Sequence, residues 1–316
     1  MPRPSRLVAS LVALLCGLMV VAPLAGCGGT KKKKGSMTIA ERLTKARGDK
    51  SPGGQARELA KVARMQVKSG DKAGAVKTLA EARRTIANDA DPAVFAPRLL
   101  DIAATYATVA EKNSAREAVD AATAMTDRLD DPVAKVGVLA KIGEVYGSKE
   151  AGLGDASKAK EALAKAAALA TSDDVGDRFR PQALAAVALG YANANLAGEA
   201  QAVIDKLETI AAGLDDLRPK AEALAAAANV RAKSGAKDKA AALLTEAATA
   251  AKQIDGSANK TFALLKVAAA MKATGDLKGA AGLTAEAEKS ATKIGDAEQQ
   301  KDAMQDVRAM QAALKN

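Results

Sequence analysis

The chain has 316 residues, with aromatics at only 2 % and no tryptophan, which excludes a compact core built on large side chains. It has no histidine, and its two cysteines, Cys16 and Cys27, both fall within the first 27 residues, so a zinc site, a Ser-His or Cys-His nucleophile, a haem attachment site and a disulfide-framed body all lack their residues. The net charge of +10 is concentrated at the N-terminus: residues 1–26 carry +2, residues 27–50 carry +6 and residues 51–316 only +2, which is not the basic, aromatic-laced footprint of a nucleic-acid binder.

Residues 1–26 read as a secretory signal. Arg3 and Arg6 form the charged n-region, and an apolar stretch from about Leu7 to Val21 forms an h-region short of the ~20 residues of a stable span. Small residues then lead to Cys27. Leu24-Ala25-Gly26-Cys27 resembles the lipobox of bacterial lipoproteins. That resemblance implies cleavage before Cys27, a diacylglyceryl group on its thiol and acylation of the new amino terminus. Cys16 would leave with the signal. The plain alternative is an uncleaved anchor helix with an incidental cysteine. Gly28, not Asp, follows the cysteine. Under the sorting rule of enteric-type Gram-negative cells, that implies the outer membrane, facing the periplasm.

Residues 27–54 read as a lipidated cysteine followed by a basic, flexible linker rich in Gly, Lys and Ser. Lys31, Lys32, Lys33 and Lys34 would sit close to the bilayer, where each basic residue contributes about 1 kcal/mol of attraction to anionic headgroups. A solvated spacer is the equal alternative. Thr38-Ile39-Ala40-Glu41 fits a capping box, so a short helix is expected to about Ala46, stopped by Gly48.

From residue 55 the chain repeats itself. Gly or Asn recurs at Gly70, Asn113, Gly154, Asn195, Gly235 and Gly275, the two residue types that best tolerate the left-handed end of a helix. Ala75, Ala118, Ala159, Ala200, Ala240 and Ala280 follow five residues later. Leu59, Ile102, Leu184, Leu224 and Leu264 stand eleven residues before the turns, with Leu139 joining them if four residues are inserted around Ser148–Leu153. Nine and twelve residues after the turns stand further apolar or small residues, Ala122 and Met125 in the second unit. Spacings of three, four and seven put these on one helical face. Each unit is therefore two antiparallel helices, six units fill residues 55–300, and the Asp-rich joints between units supply turns and caps. Residues 301–316 form an amphipathic capping helix with Met304, Val307, Met310 and Leu314 on one face.

The turns Gly70-Asp71, Gly154-Asp155 and Gly275-Asp276, each with a small residue five after the Gly, resemble the tetratricopeptide repeat (TPR). The family's tyrosine four before the turn survives as Tyr191, and as Tyr146 with the insertion. Its large first-helix aromatic is replaced by Leu or Ile, its closing proline is missing, and the period is about 40 residues. The resemblance implies an all-α, right-handed superhelix of about six TPR-like hairpins, with the first helices lining a concave, peptide-binding face.

Transferring the family's outward positions gives candidate groove residues. These are Arg57, Arg64 and Lys68 in the first unit, Glu144 in the third, and Gln182 and Asn193 in the fourth. Glu222, Asn229 and Lys233 follow in the fifth, and Lys272 in the sixth. The family's Lys/Asn clamp for C-terminal carboxylates has no good match; Asn229 and Lys272 come nearest. Tyr106, Tyr146 and Tyr191 read as packing residues, and Phe95, Phe179 and Phe262 as wedges between units. Asp pairs such as Asp173-Asp174 and Asp215-Asp216 read as caps, not as catalytic or calcium-binding groups. Gly152-Leu153-Gly154 is no phosphate loop, because no strand precedes it and no Gly-Lys-Ser/Thr follows.

The expectation is a non-enzymatic, lipid-anchored envelope protein, free of metal and cofactor, whose solenoid scaffolds contacts with a protein or peptide partner. The alternatives are a receptor for a soluble peptide or glycan, and an accessory subunit of an envelope-assembly or cell-wall-remodelling complex.

Overall fold

The computed structural model describes residues 37–86, 91–150 and 152–315. The signal segment, Cys27 and Lys31–Lys34 lie outside the described residues. Thr38–Asn316 form one compact unit. Among the described residues the protein is all-α, with fourteen helices and no strand.

Helix α1 (Ile39–Arg47) opens the array with the expected capping box, Thr38 and Glu41 satisfying each other's backbone N–H groups, and it ends at Gly48. The short helix expected within the linker to residue 54 is α1, and residues 52–54 are already helical. α1 lies on α2 (Pro52–Lys68), buries Ala46 and holds Glu81 through a two-pronged Arg47 bond at 2.8 Å each.

Six helical hairpins follow. α2 pairs with α3 (Lys72–Arg84), α4 (Pro92–Thr108) with α5 (Lys112–Thr126), and α6 (Pro132–Gly147) with α7 (Ala156–Ala170). α8 (Arg180–Asn193) pairs with α9 (Ala197–Ala212), α10 (Leu217–Lys233) with α11 (Lys237–Lys252), and α12 (Ser257–Thr274) with α13 (Leu277–Ala291). Consecutive first helices also touch one another, and each second helix touches the first helix of the next unit. The result is an α-α solenoid in which no hairpin buries its apolar face alone. Alanine columns make this stacking close: Ala75, Ala159, Ala200, Ala240 and Ala280, five residues after the turns, are all buried.

The turns show why the units are the length they are. Gly70, Gly154, Gly235 and Gly275 have φ between +70° and +94°, and Asn195 has φ +60°. The next N–H donates back to a first-helix carbonyl: Asp71 to Gln66 (2.9 Å), Leu196 to Tyr191 (2.9 Å), Ala236 to Arg231 (2.9 Å) and Asp276 to Met271 (2.9 Å). This is the Schellman closure that satisfies carbonyls left open at a helix end. In the third unit the same bond runs from Asp155 to Tyr146 (2.7 Å) and encloses four more residues, which is the expected insertion.

The second unit corrects the sequence register. Its left-handed residue is Ala110, with φ +69°, and Glu111 donates to Tyr106 (3.0 Å). Asn113 is an exposed residue of α5 whose Oδ1 accepts from Arg116 (3.3 Å). The columns of this unit are therefore Leu99, Ala115, Val119 and Ala122, all buried. Ile102, Ala118 and Met125 are buried as well. A shift of three residues rotates a helix by nearly a full turn, so both registers present an apolar stripe. The left-handed preference of Asn pointed to the wrong one.

Gln66, Tyr106, Tyr146, Tyr191, Arg231 and Met271 thus occupy one repeated position four residues before the closure, and all are buried. From there a polar side chain reaches back to the second helix of the preceding unit. The Tyr146 hydroxyl donates to Asp120 (3.4 Å), and Arg231 donates to Asp205 (2.6 Å) and twice to Glu208 (2.6 and 2.9 Å). Bonding to Glu208 raises the Arg231 pKa, and burial opposes this. Burial is the main cause of the raised pKa of Tyr146.

α14 (Ala297–Leu314) packs on α12 and α13 where a next first helix would sit, starting four residues earlier than expected under an Asp296 cap. Ala303 and Val307 are buried, Met304, Met310 and Leu314 half-buried. Lys301, Gln305 and Arg308 are exposed at positions where α10 buries Ala221, Ala225 and Ala228. That polar face closes the array. Asp91, Asp131 and Asp216 cap first helices, while Asp71, Asp155 and Asp276 cap second helices. Asp173-Asp174 departs from the cap expectation: it caps no helix and lies in the loop before α8.

Candidate functional site

That loop creates the most distinctive feature of the first-helix face. The other first helices begin eighteen residues before their closing position, allowing for the insertion, but α8 begins fifteen before Asn195. Pro181 sets the start. Proline lacks the N–H that an interior turn donates and is favoured in the first helical turn; Pro181 occupies that place in α8, although α4 carries Pro97 in its interior. Residues 171–179 run as a loop instead. Arg180 ties it down, donating to the carbonyls of Val175 (3.2 Å) and Ser172 (3.4 Å) and to the Asp177 carboxylate. Val175 is buried beneath.

The missing turn leaves a cleft of about 370 Å³ across α8, α10 and α12. Gln182, Glu222 and Asn229, three of the expected groove residues, line it together. Arg218 braces one wall, with Nε bonded to Glu222 (3.0 Å) and Nη1 to Asn259 (2.6 Å), so the Glu222 carboxylate is already matched. Arg178 and Lys266 are exposed on the lining and have no carboxylate partner among the described residues. The Arg178 guanidinium lies over the Phe179 ring at 5.8 Å. Asn229 Oδ1 is buried and has no hydrogen-bond partner.

The other expected groove residues are distributed along the face. Arg57 is exposed and bonded to its neighbour Glu58 (3.1 Å), with Arg64 half-buried and Lys68 exposed on the same helix. Glu144 accepts from Lys141 (2.8 Å), and Asn193 accepts from Lys233 (3.1 Å). Lys272 is half-buried on α12 and does not line the cleft, so it is not joined there with Asn229.

Arg178, Phe179, Arg218 and Asn259 were not legible as site residues; Lys266 was not expected either, although it falls on an outward repeat position, nine before Gly275. Phe179 was expected as a wedge between units; it is 49 % exposed, whereas Phe95 is buried and Phe262 packs half-buried against the core. The one available signal was Pro181, which places the α8 start late and exposes the residues before it. Tyr106, Tyr146 and Tyr191 are packing residues, as expected.

No described helix is long and apolar enough to cross a membrane. No protein-family model matches the chain. No curated protein matches it either. Among solved structures, Ton1535 from Thermococcus onnurineus NA1 aligns over 84 % of this chain and 94 % of its own, at 16 % identity and a TM-score of 0.38. That superposition is too loose to establish a common fold.

Proposed function

We propose that this protein is a bacterial lipoprotein, anchored through acylated Cys27 to the cell envelope, whose TPR-like right-handed solenoid is a non-enzymatic scaffold for protein contacts. It needs no metal or cofactor in this role. The observation that carries the reading is the face formed by successive first helices, where outward polar side chains from neighbouring units converge on one open cleft. The lipobox resemblance supplies the anchor, with Lys31–Lys34 against the headgroups and the outer membrane as the address in a Gram-negative cell. Two or three acyl chains hold a protein on a bilayer far longer than one. Confinement there raises the effective concentration of any partner on the same surface.

The cleft itself favours a second reading, a receptor for a soluble peptide, since about 370 Å³ is within the size range of ligand pockets. In-cell crosslinking with mass spectrometry, on the native protein and a Cys27→Ala variant in parallel, separates the two. A protein partner captured from the native chain supports the scaffold, and its loss in the variant makes the anchor part of the mechanism. No partner from either chain, together with thermal stabilisation by small peptides, supports the receptor.

A further inference from the structure

The charge excess of residues 37–316 is +4. The outward rows of the six first helices, at thirteen, nine, six and two residues before each closure, hold seven cations against Asp101, Glu144 and Glu222. These rows alone account for the whole excess, and elsewhere the two signs balance. On part of the face the cations are matched locally, Arg57 and Lys61 by Glu58 (3.1 and 2.8 Å) and Lys141 by Glu144 (2.8 Å), while Arg64, Lys68 and Lys233 have no carboxylate partner among the described residues. What distinguishes the cleft is the company its cations keep: Glu222 is taken by Arg218, and Lys266 together with the loop residue Arg178 faces solvent with no carboxylate partner among the described residues. Beside them stand an exposed phenyl ring, Phe179, and the unpartnered acceptor Asn229 Oδ1.

Building on the first-helix face as a binding surface, we propose that the cleft left by the shortened α8 binds an acidic peptide segment bearing an apolar side chain. Each part of such a ligand answers a group left open. Its carboxylates neutralise Arg178 and Lys266, forming charge-assisted bonds that are stronger than neutral ones. Its apolar side chain covers Phe179, whose ring is the largest exposed apolar group on the lining. A backbone N–H of the segment donates to Asn229 Oδ1, which otherwise stays buried and unsatisfied at a cost. The chemistry favours an internal acidic stretch over a chain terminus, because the two open cations share the lining with an exposed phenyl ring and the pair nearest to a carboxylate clamp, Asn229 and Lys272, does not meet in the cleft.

The test is fluorescence anisotropy on the full chain in detergent, using a labelled peptide rich in Asp and Glu with one Phe. The same peptide with Lys in place of its acids is the control. The acidic peptide should bind and the basic one should not. Arg178→Glu combined with Lys266→Glu should weaken binding by about tenfold or more, and Phe179→Ala by several-fold. Lys239→Glu with Lys278→Glu, two exposed cations on second helices, matches the change in net charge and should leave binding nearly intact. Both cleft positions are exposed, so the variants should melt like the native protein. An equal loss from the second-helix pair, or no loss from the cleft pair, overturns the proposal. So does failure of the acidic peptide to bind at low salt. If the peptide ignores the cleft while crosslinks still map a partner to the first helices, this inference falls and the scaffold stands. If neither is seen, both fall.

Discussion

An alanine held at φ +69° costs about 1–2 kcal/mol relative to a residue without a Cβ, and Ala110 sits in that conformation on the surface. Four of the other five closures use glycine there, and nothing approaches within 4 Å of a Cβ built on Gly70 or Gly235. The constraint is therefore backbone strain alone. Ala110→Gly should relieve it and raise stability by about 0.5–1 kcal/mol after the larger entropy loss of glycine is counted. A urea midpoint measurement checks this; an unchanged or lower midpoint would argue against the left-handed assignment. The same change at Asn113, the second residue of α5, should bring no such gain and cost at most a few tenths of a kcal/mol, since glycine is only slightly poorer than asparagine in a helix.

At the scale of elements, units are joined by side chains reaching across the stack. Arg231 is almost fully buried, while Asp205 is 60 % exposed and the Glu208 side chain 28 % exposed. Its partners keep access to water, so Arg231→Met should cost about 1–3 kcal/mol, less than breaking a wholly buried pair. Met271 fills the same repeat position one unit later, and there Thr245 and Ala248 hold the register positions of Asp205 and Glu208. Adding Asp205→Thr and Glu208→Ala should therefore recover most of the loss, as read by thermal melting of all three variants. The Arg47–Glu81 pair gives a pH signature. Its hydrogen bonds hold the Glu81 carboxyl below the ordinary carboxylate range. Such a group contributes stability above its unfolded pKa of about 4.3 and loses it as pH falls through the lower folded value. Native protein should exceed Glu81→Gln by less than about 1 kcal/mol at neutral pH, because Arg47 is half exposed. The two should converge on acidification, as followed by urea melts across pH.

For the whole molecule, α14 is what lets a repeating stack end. It buries Ala303 and Val307 inward and shows Lys301, Gln305 and Arg308 outward. Deleting residues 297–316 should lower the melting temperature by on the order of 5 °C and promote self-association, because the last hairpin loses its cover. Calorimetry with light scattering reads both effects. A truncated protein that stays monomeric with an unchanged melt would show that the sixth hairpin closes the array unaided.

Periodicity in the sequence was sufficient for the all-α class, the hairpin repeat, the four-residue insertion and the α1 cap. Each rests on local rules: helix phase, left-handed tolerance and side-chain capping act within a few residues. The same local rules misplaced the second closure, since Asn113 and Ala110 lie nearly one helical turn apart and both give an apolar stripe. The positive φ of Ala110 and the bond from Glu111 to Tyr106 distinguish them. Part of the cleft was legible, because Gln182, Glu222 and Asn229 fall on outward repeat positions; Lys266 falls on one too, nine before Gly275. The rest depends on the late start of α8, which exposes Arg178 and Phe179, and on Arg218, which takes Glu222 on its own helix and reaches Asn259 forty-one residues away. Local pattern decides which face of each helix is buried and pairs charges on the other face within a helix, as Arg218 with Glu222; the stacking of units decides where a late helix start opens a cleft between them.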